Sequence, residues 1–348
     1  MGTISIGVTE RKFADFLSLR PNKLVSYSRV IKPSRVRDVQ LQSVIPGPEK
    51  IRNVNKHNFE LSRNAQKNIQ EKITWLYHFS KKKTITTSGG KIISDFKMNF
   101  ATLTLPSVQA HSSDFITKNC LNQLFVELNK KMNFKNYVWR LEYQKNGNIH
   151  YHLATDVFIN YYLLRNIWNR ILQKYGYITA YQDKFNSMTL MDYVRNYSNA
   201  ENTNFKELQE RYAKGCRENW QNPHSVDVKV CTNSRAVAFY ISKYFGKNSA
   251  TGSQNKLPVN EDNSGNSRLW YCSTSLSKLK FISDVRHAFE VDFLGFMYSA
   301  KKVKKIVCDY CTVYYFNISD LCHEGYRAFA KLFQDYGRYC CYLDPLPV

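Results

Sequence analysis

Residues 137–156 read YVWRLEYQKNGNIHYHLATD, and the fold turns on how the KNG in the middle is bent. The flanks YVWRLEYQ and NIHYHLATD read as paired strands, with Asn146-Gly147 as the turn signal. If those two residues form a two-residue loop, Lys145 pairs with Asn148 and Glu142 with Tyr151, and the carboxylate faces away from His150 and His152. If Lys145, Asn146 and Gly147 form a three-residue loop with Gly147 left-handed, Glu142 sits opposite His150 and diagonal to His152. One carboxylate and two imidazoles then converge. Such a set suits a divalent ion with open positions for phosphate oxygens: imidazole favours transition metals, and Mg²⁺ or Mn²⁺ fits where substrate phosphate completes the shell. A His-x-His pair also arises from packing alone, because alternate strand residues face one way, and Glu142 can be an ordinary surface charge.

Composition narrows the partner. The 348 residues carry 50 Lys+Arg against 28 Asp+Glu, a formal charge of +22, which points to a polyanion. Aromatic residues make up 14% of the chain, 24 of them Tyr, and basic charge interleaved with rings suits single-stranded nucleic acid; most of the rings fill the core all the same. No apolar run approaches the roughly 18–20 residues that span a bilayer. With no secretory core at the N-terminus and nine scattered cysteines that read as reduced thiols, a cytoplasmic protein without a membrane partner is expected.

Along the chain, residues 1–57 are basic and irregular and read as an arm or extended surface layer. Ala65, Ile69, Ile73, Leu76 and Phe79 recur at helical spacing ahead of the run Lys81, Lys82, Lys83. KMNFATLTLP reads as a strand with Phe100, Thr102 and Thr104 on one face and Ala101, Leu103 and Leu105 on the other. FITKNCLNQLFVELNKKM and YYLLRNIWNRILQKYG are amphipathic helices, VDVKVC a strand, and SRAVAFYISKYFGK a helix capped by Ser234 and closed by Gly246. Residues 247–267, rich in Asn, Ser and Gly, read as a mobile loop before RLWYCSTSL. IVCDYCTVYYF reads as a single strand, followed by a helix from near Ser319. The expected division is 1–94 (N-terminal basic arm and helix), 95–285 (an α+β domain whose central antiparallel sheet is flanked by helices) and 286–348 (a small C-terminal α/β extension).

In YISKY, Tyr240 and Tyr244 stand four apart on one helical face with Lys243 beside them, while Val237, Ile241 and Phe245 line the buried side. Tyrosine attacks a phosphodiester near neutral pH only with a metal to polarise the phosphate and a cation to stabilise developing charge. The bland reading is an amphipathic face half buried against a neighbour.

The ordered set FATLTLP (100–106), HYHL (150–153) with Glu142 upstream, and YISKY (240–244) resembles the three motifs of HUH endonucleases, specifically the rolling-circle replication initiators of microviruses and related plasmids. RLWYCSTSL also looks like the stretch that follows the tyrosine helix in that phage group. The resemblance implies an HUH endonuclease-like fold for residues 95–285 and nicking and joining of single-stranded DNA at a replication origin. It implies His150 and His152 as metal ligands with Glu142 a third, and Tyr240 as the nucleophile forming a 5′-phosphotyrosine link. Lys243 would be its assisting cation and Tyr244 the second nucleophile of two-tyrosine members. The residue between the histidines, Tyr151, departs from the plainly aliphatic residue expected there.

TTSGGK lacks the first glycine of a Walker A loop, with Ile85 in its place, so a host helicase would unwind the duplex and a host DNA polymerase extend the free 3′ end. Cys308 and Cys311 form a C-x-x-C followed by Cys322 and His323, and read as buried free thiols rather than a zinc site. A relaxase or single-strand transposase would use the same three motifs, and a non-catalytic single-strand-binding module would explain the charge and the aromatics alone.

Overall fold

The computed structural model describes residues 13–20, 23–30, 61–87, 89–144, 146–198, 204–231, 237, 239–240, 268–279, 282–285 and 303–316. The chain divides into two compact units, residues 56–278 and a second made of 1–55 with 279–348. The second unit opens on a hairpin, β1 (Phe13–Arg20) and β2 (Lys23–Val30), paired in unbroken antiparallel register. This corrects the expectation of an irregular N-terminal arm. In the sequence Leu17 and Leu19 alternate with Ser18 as a strand requires; neighbouring prolines and basic residues hide that short signal.

The larger unit begins with α1 (Arg63–Phe79), where the Ser62 hydroxyl accepts from the Ala65 N–H at 3.1 Å. Ile69, Ile73, Leu76 and Phe79 bury the stripe their spacing predicts, and Trp75 joins them. In the last turn, burial and then the charge of Lys97 lower the His78 imidazole to about 4. The unfolded chain takes that proton near pH 6.5 and the folded chain only near 4, so stability is lost as pH falls through that window. A shift of this size is worth up to about 3 kcal/mol. Urea titrations at pH 7 and pH 4.5 are expected to show this loss, and His78→Gln to flatten it; an unchanged slope with pH would sink the assignment.

A two-stranded ribbon, β3 (Lys83–Thr86) and β4 (Ile92–Phe96), leads into β5 (Met98–Thr104). The helix expected over 115–132 starts two residues earlier, on a Ser112 cap, and is not uniform. It runs as α2 (Ser113–Ile116), one π-helical turn (Thr117–Leu121) and α3 (Asn122–Met132). The Thr117 hydroxyl, 2.8 Å from both the Ser113 carbonyl and the Tyr151 hydroxyl, lies at the point where the turn widens. Then follow β6 (Tyr137–Tyr143), β7 (Ile149–Thr155) and α4 (Tyr161–Gln173), the last capped by Asn160.

Helices α5 (Tyr177–Asn186), α6 (Leu190–Tyr197) and α7 (Phe205–Arg217) close over an aromatic cluster of Phe185, Tyr193 and Trp220. Gly215 packs so tightly under the Trp220 indole that an added Cβ would lie 2.3 Å from its ring. Gly215→Ala is therefore expected to cost about 2–3 kcal/mol, read as a lower thermal midpoint and a weakened near-UV signal from this cluster. A variant that melts with the wild type would refute the packing.

Strand β8 (Val226–Cys231) and the short β9 (Trp270–Cys272), followed by α8 (Thr274–Lys278), complete the unit. Its antiparallel sheet has the order β8-β5-β7-β6-β9, with the histidine strand in the middle. One face buries Ala101, Leu103, Trp139, Leu141, Tyr151 and Leu153 against Leu124 and Leu128 of α3 and Leu164, Trp168 and Ile171 of α4. Each of the buried leucines and Ile171 contributes roughly 1.5–3 kcal/mol. The mixed α+β architecture, with a central antiparallel sheet flanked by helices, is as the sequence predicts.

In the other unit, β10 (Ile282–Val285), β11 (Lys304–Cys308) and β12 (Cys311–Tyr315) join the first hairpin in an antiparallel sheet of order β10-β1-β2-β12-β11. IVCDYCTVYYF is thus two strands about an Asp309-Tyr310 turn rather than one. Cys308 is exposed and Cys311 only partly covered, so the expectation of buried thiols does not hold at this pair. The expected loop at 247–267 and helix from Ser319 lie outside the described residues. Among those described, no helix is long and apolar enough to cross a membrane.

Candidate metal centre and tyrosine face

The KNG turn takes the longer form. Gln144 N–H donates to the Asn148 carbonyl at 2.7 Å, Gly147 N–H donates to the Gln144 carbonyl at 2.9 Å, and Gly147 has φ of 86°. Left-handed backbone here favours glycine, and it closes a three-residue loop. The Asn148 side chain locks the loop to the chain after β5, its carboxamide accepting from the Gln109 N–H and donating to the Ser107 carbonyl.

Register then assembles the site. Glu142 pairs with His150, Arg140 with His152, and on the other side of β7 Thr102 pairs with His152. Glu142 Oε2 lies 2.9 Å from His152 Nε2 and 3.3 Å from His150 Nε2. One ligand atom from each of the three residues falls within 4.8 Å of the others, the only such group among the described residues. Both Nδ1 atoms are engaged by neutral side chains, His152 with Thr102 Oγ1 at 3.3 Å and His150 with Gln144 Nε2 at 3.1 Å. Both Nε2 atoms lie beside the carboxylate; the Thr102 hydroxyl can accept from His152 Nδ1–H, as a metal-bound imidazole requires, whereas the Gln144 amide nitrogen donates to His150 Nδ1. The donor chemistry fits a divalent cation.

The electrostatics agree. Burial pushes the Glu142 carboxyl up, but hydrogen bonds with His150 and His152, together with the charges of His152 and Arg140, outweigh it and hold the group well below the usual carboxylate range. Burial lowers His152, 1% exposed, to about 4 against the opposing pull of Glu142. At neutral pH the site therefore presents one anionic oxygen and an uncharged imidazole, the protonation states a cation needs.

Tyr240 lies on the same face of the sheet. Its ring stacks on Phe100 at 3.8 Å between centroids and 17° between planes, and Phe100 stands two residues before Thr102 on β5. The expected exposed tyrosine face needs correction at this residue: Tyr240 is only 5% exposed and shares the covered side of its helical turn with Val237, whereas Phe239 faces outward. Lys243 and Tyr244 lie outside the described residues. Sequence reading missed Arg140, 2% exposed, although its position two before Glu142 on an alternating strand puts it on the site face. It also missed the supporting contacts of Thr102 and Gln144, which the register alone reveals.

Residues 98–249 match the model of the family described as replication-associated protein ORF2/G2P. That span runs from the start of β5 past Tyr240, so it contains the triad and Phe100, and the match is consistent with a rolling-circle replication initiator. No curated protein and no solved structure matches the chain.

Proposed function

We propose that the chain nicks and rejoins single-stranded DNA at a replication origin, starting rolling-circle replication of the kind microviruses and related plasmids use, in the cytoplasm of a bacterial host. The observation that carries this reading is the convergence of Glu142, His150 and His152 on the sheet face that also holds Tyr240. Within the matched segment these are a cation site and a phenol for phosphoryl transfer.

Glu142 and the two imidazoles would hold Mg²⁺ or Mn²⁺, which when bound polarises the scissile phosphate. Tyr240 Oη attacks phosphorus, forming the 5′-phosphotyrosine bond as the bond to the 3′ oxygen breaks. The phenol proton passes to solvent and the departing oxygen is protonated to a free 3′-hydroxyl, the primer for a host polymerase behind a host helicase. Phe100 holds the Tyr240 ring by stacking, and Lys243 supplies positive charge as the phosphate gains negative charge. Tyr244 then attacks a second junction, forming its own phosphotyrosine and freeing a 3′-hydroxyl, and that hydroxyl attacks the Tyr240 phosphotyrosine, releasing Tyr240 and closing the displaced circle. Each step exchanges one phosphodiester for another, so no nucleotide is consumed.

The test is incubation of the purified chain with Mn²⁺ and end-labelled single-stranded DNA from its own replicon. A protein-linked strand on a denaturing gel, abolished by chelator, is expected. Retention of DNA without any covalent product, in either metal, would leave a binding module instead. Processing only at a transfer origin or transposon end would indicate a relaxase or transposase.

A further inference from the structure

Away from the metal centre, β3 and β4 form a sheet of their own and pair with no other strand among those described. Residues 81–97 carry five lysines, Lys81, Lys82, Lys83, Lys91 and Lys97, against one carboxylate, Asp95. Two of the five fix the root of the ribbon. Lys83 Nζ donates to the Asp156 carbonyl at 2.7 Å and lies over the Phe96 ring, and Lys97 Nζ donates to the Tyr77 carbonyl at 3.1 Å. Phe96 itself is fully buried and meets Phe158 edge-on. The other three lysines are exposed, and the Lys82–Asp95 pair at 3.1 Å sits in solvent, a contact that a phosphate can replace.

The two faces of the ribbon differ. Ile85 pairs with Ile93 on the half-covered side, and the register shift beyond them leaves Asp95, with φ of 55°, as the extra residue of β4. Thr84, Thr86, Ile92 and Ser94 share the opposite side, all exposed, with Ile92 67% exposed. Lysines beside open strand edges also discourage strand pairing, but that role makes no demand on the face between them. Hydroxyls that donate or accept, set around an apolar side chain, are the groups that read base edges and thymine methyls in a major groove.

We propose that the β3–β4 ribbon enters the major groove of double-stranded DNA beside the nick site, reading bases with Thr84, Thr86, Ile92 and Ser94 while Lys81, Lys82 and Lys91 contact the flanking phosphates. Two strands about 4.8 Å apart fit a groove about 12 Å wide. Only Lys97 separates β4 from β5, and three residues further Phe100 carries the Tyr240 ring. A duplex gripped by the ribbon therefore adjoins the place where one strand is cut. The inference rests on the replication reading for which DNA is held.

Fluorescence anisotropy of the full chain tests it, on duplex fragments tiling its own replicon and on single strands of the same fragments. The wild type should prefer one duplex over the others by ~100-fold or more. Lys81→Ala/Lys91→Ala should weaken every duplex and lower the slope of its salt dependence by about 2. Thr86→Ala/Ile92→Ala should erase most of the preference and leave the other duplexes bound as before. Both variants should form adduct on single-stranded DNA at the wild-type rate, because neither touches the metal centre or Tyr240. An unchanged slope in the lysine variant, an unchanged preference in Thr86→Ala/Ile92→Ala, equal losses on duplex and single strands, or a change of oligomeric state in place of DNA affinity would each overturn the proposal. Adduct on single strands with no duplex preference would remove the ribbon's role and leave the nicking reading standing. Duplex preference that the variants lose, without any adduct, would do the reverse.

Discussion

Tyr240→Phe is expected to lower the yield of covalent protein–DNA adduct by ~10³-fold or more while leaving the fold and cation binding intact. The substitution deletes one atom, the phenol oxygen proposed as nucleophile, and preserves the ring that stacks at 3.8 Å on Phe100. That stack is worth about 0.5–1.5 kcal/mol, and all of it survives. A thermal midpoint close to wild type and an unchanged Mn²⁺ affinity are therefore part of the prediction, and they separate loss of chemistry from loss of structure. Tyr240→Ala provides the contrast, since it loses the oxygen and the stack together and should lower the melting temperature as well. If adduct persists at the wild-type level in Tyr240→Phe, another group is the nucleophile. Peptide mapping of the linked strand would then show whether Tyr244 carries it.

How far the sequence could be read depended on how local the cause was. The paired strands over 137–155, the helix from Arg63 to Phe79 and the alternation in β5 follow from side-chain periodicity, a local property, and each stands where its pattern puts it. The turn between β6 and β7 could be reduced to two registers but not to one, because Asn-Gly serves both loop lengths; the choice rests on the left-handed Gly147 and on Asn148 bonding to residues of a distant segment. Non-local causes account for the rest. Tyr240 is covered because Phe100, 140 positions earlier, comes to lie beneath it, and helical spacing alone assigns the phenol to the open side. The N-terminal hairpin went unread because two eight-residue strands in basic, proline-bearing sequence give little periodicity to detect, and β2 is secured by pairing with β12 from the far end of the chain. The hairpin of β11 and β12 is what brings Cys308 and Cys311 to the surface: one buried strand and a solvent-facing hairpin look alike in sequence until the turn is placed.

Glu142→Gln should weaken Mn²⁺ binding by ~100-fold or more, about 3 kcal/mol, and abolish the adduct with it. The carboxylate is the single anion among the three candidate ligands, and its Oε2 is the point on which both Nε2 atoms converge. Gln keeps the shape and an accepting oxygen but removes the charge. What remains is worse than neutral for a cation, because Arg140, 2% exposed and two residues earlier on the same face, still holds its positive charge there. Arg140 also loses one of its electrostatic partners, so the variant should unfold more easily than the metal-free wild type, by about 1–3 kcal/mol. Adding Met at Arg140 in the Glu142→Gln background should recover part of that stability, since a buried cation is replaced by apolar contact, yet it should not recover the metal. Titration calorimetry with Mn²⁺ and melting curves with and without chelator read both effects. Wild-type Mn²⁺ affinity in Glu142→Gln would mean that the carboxylate is not a ligand, and the two histidines would revert to rings packed on a central strand.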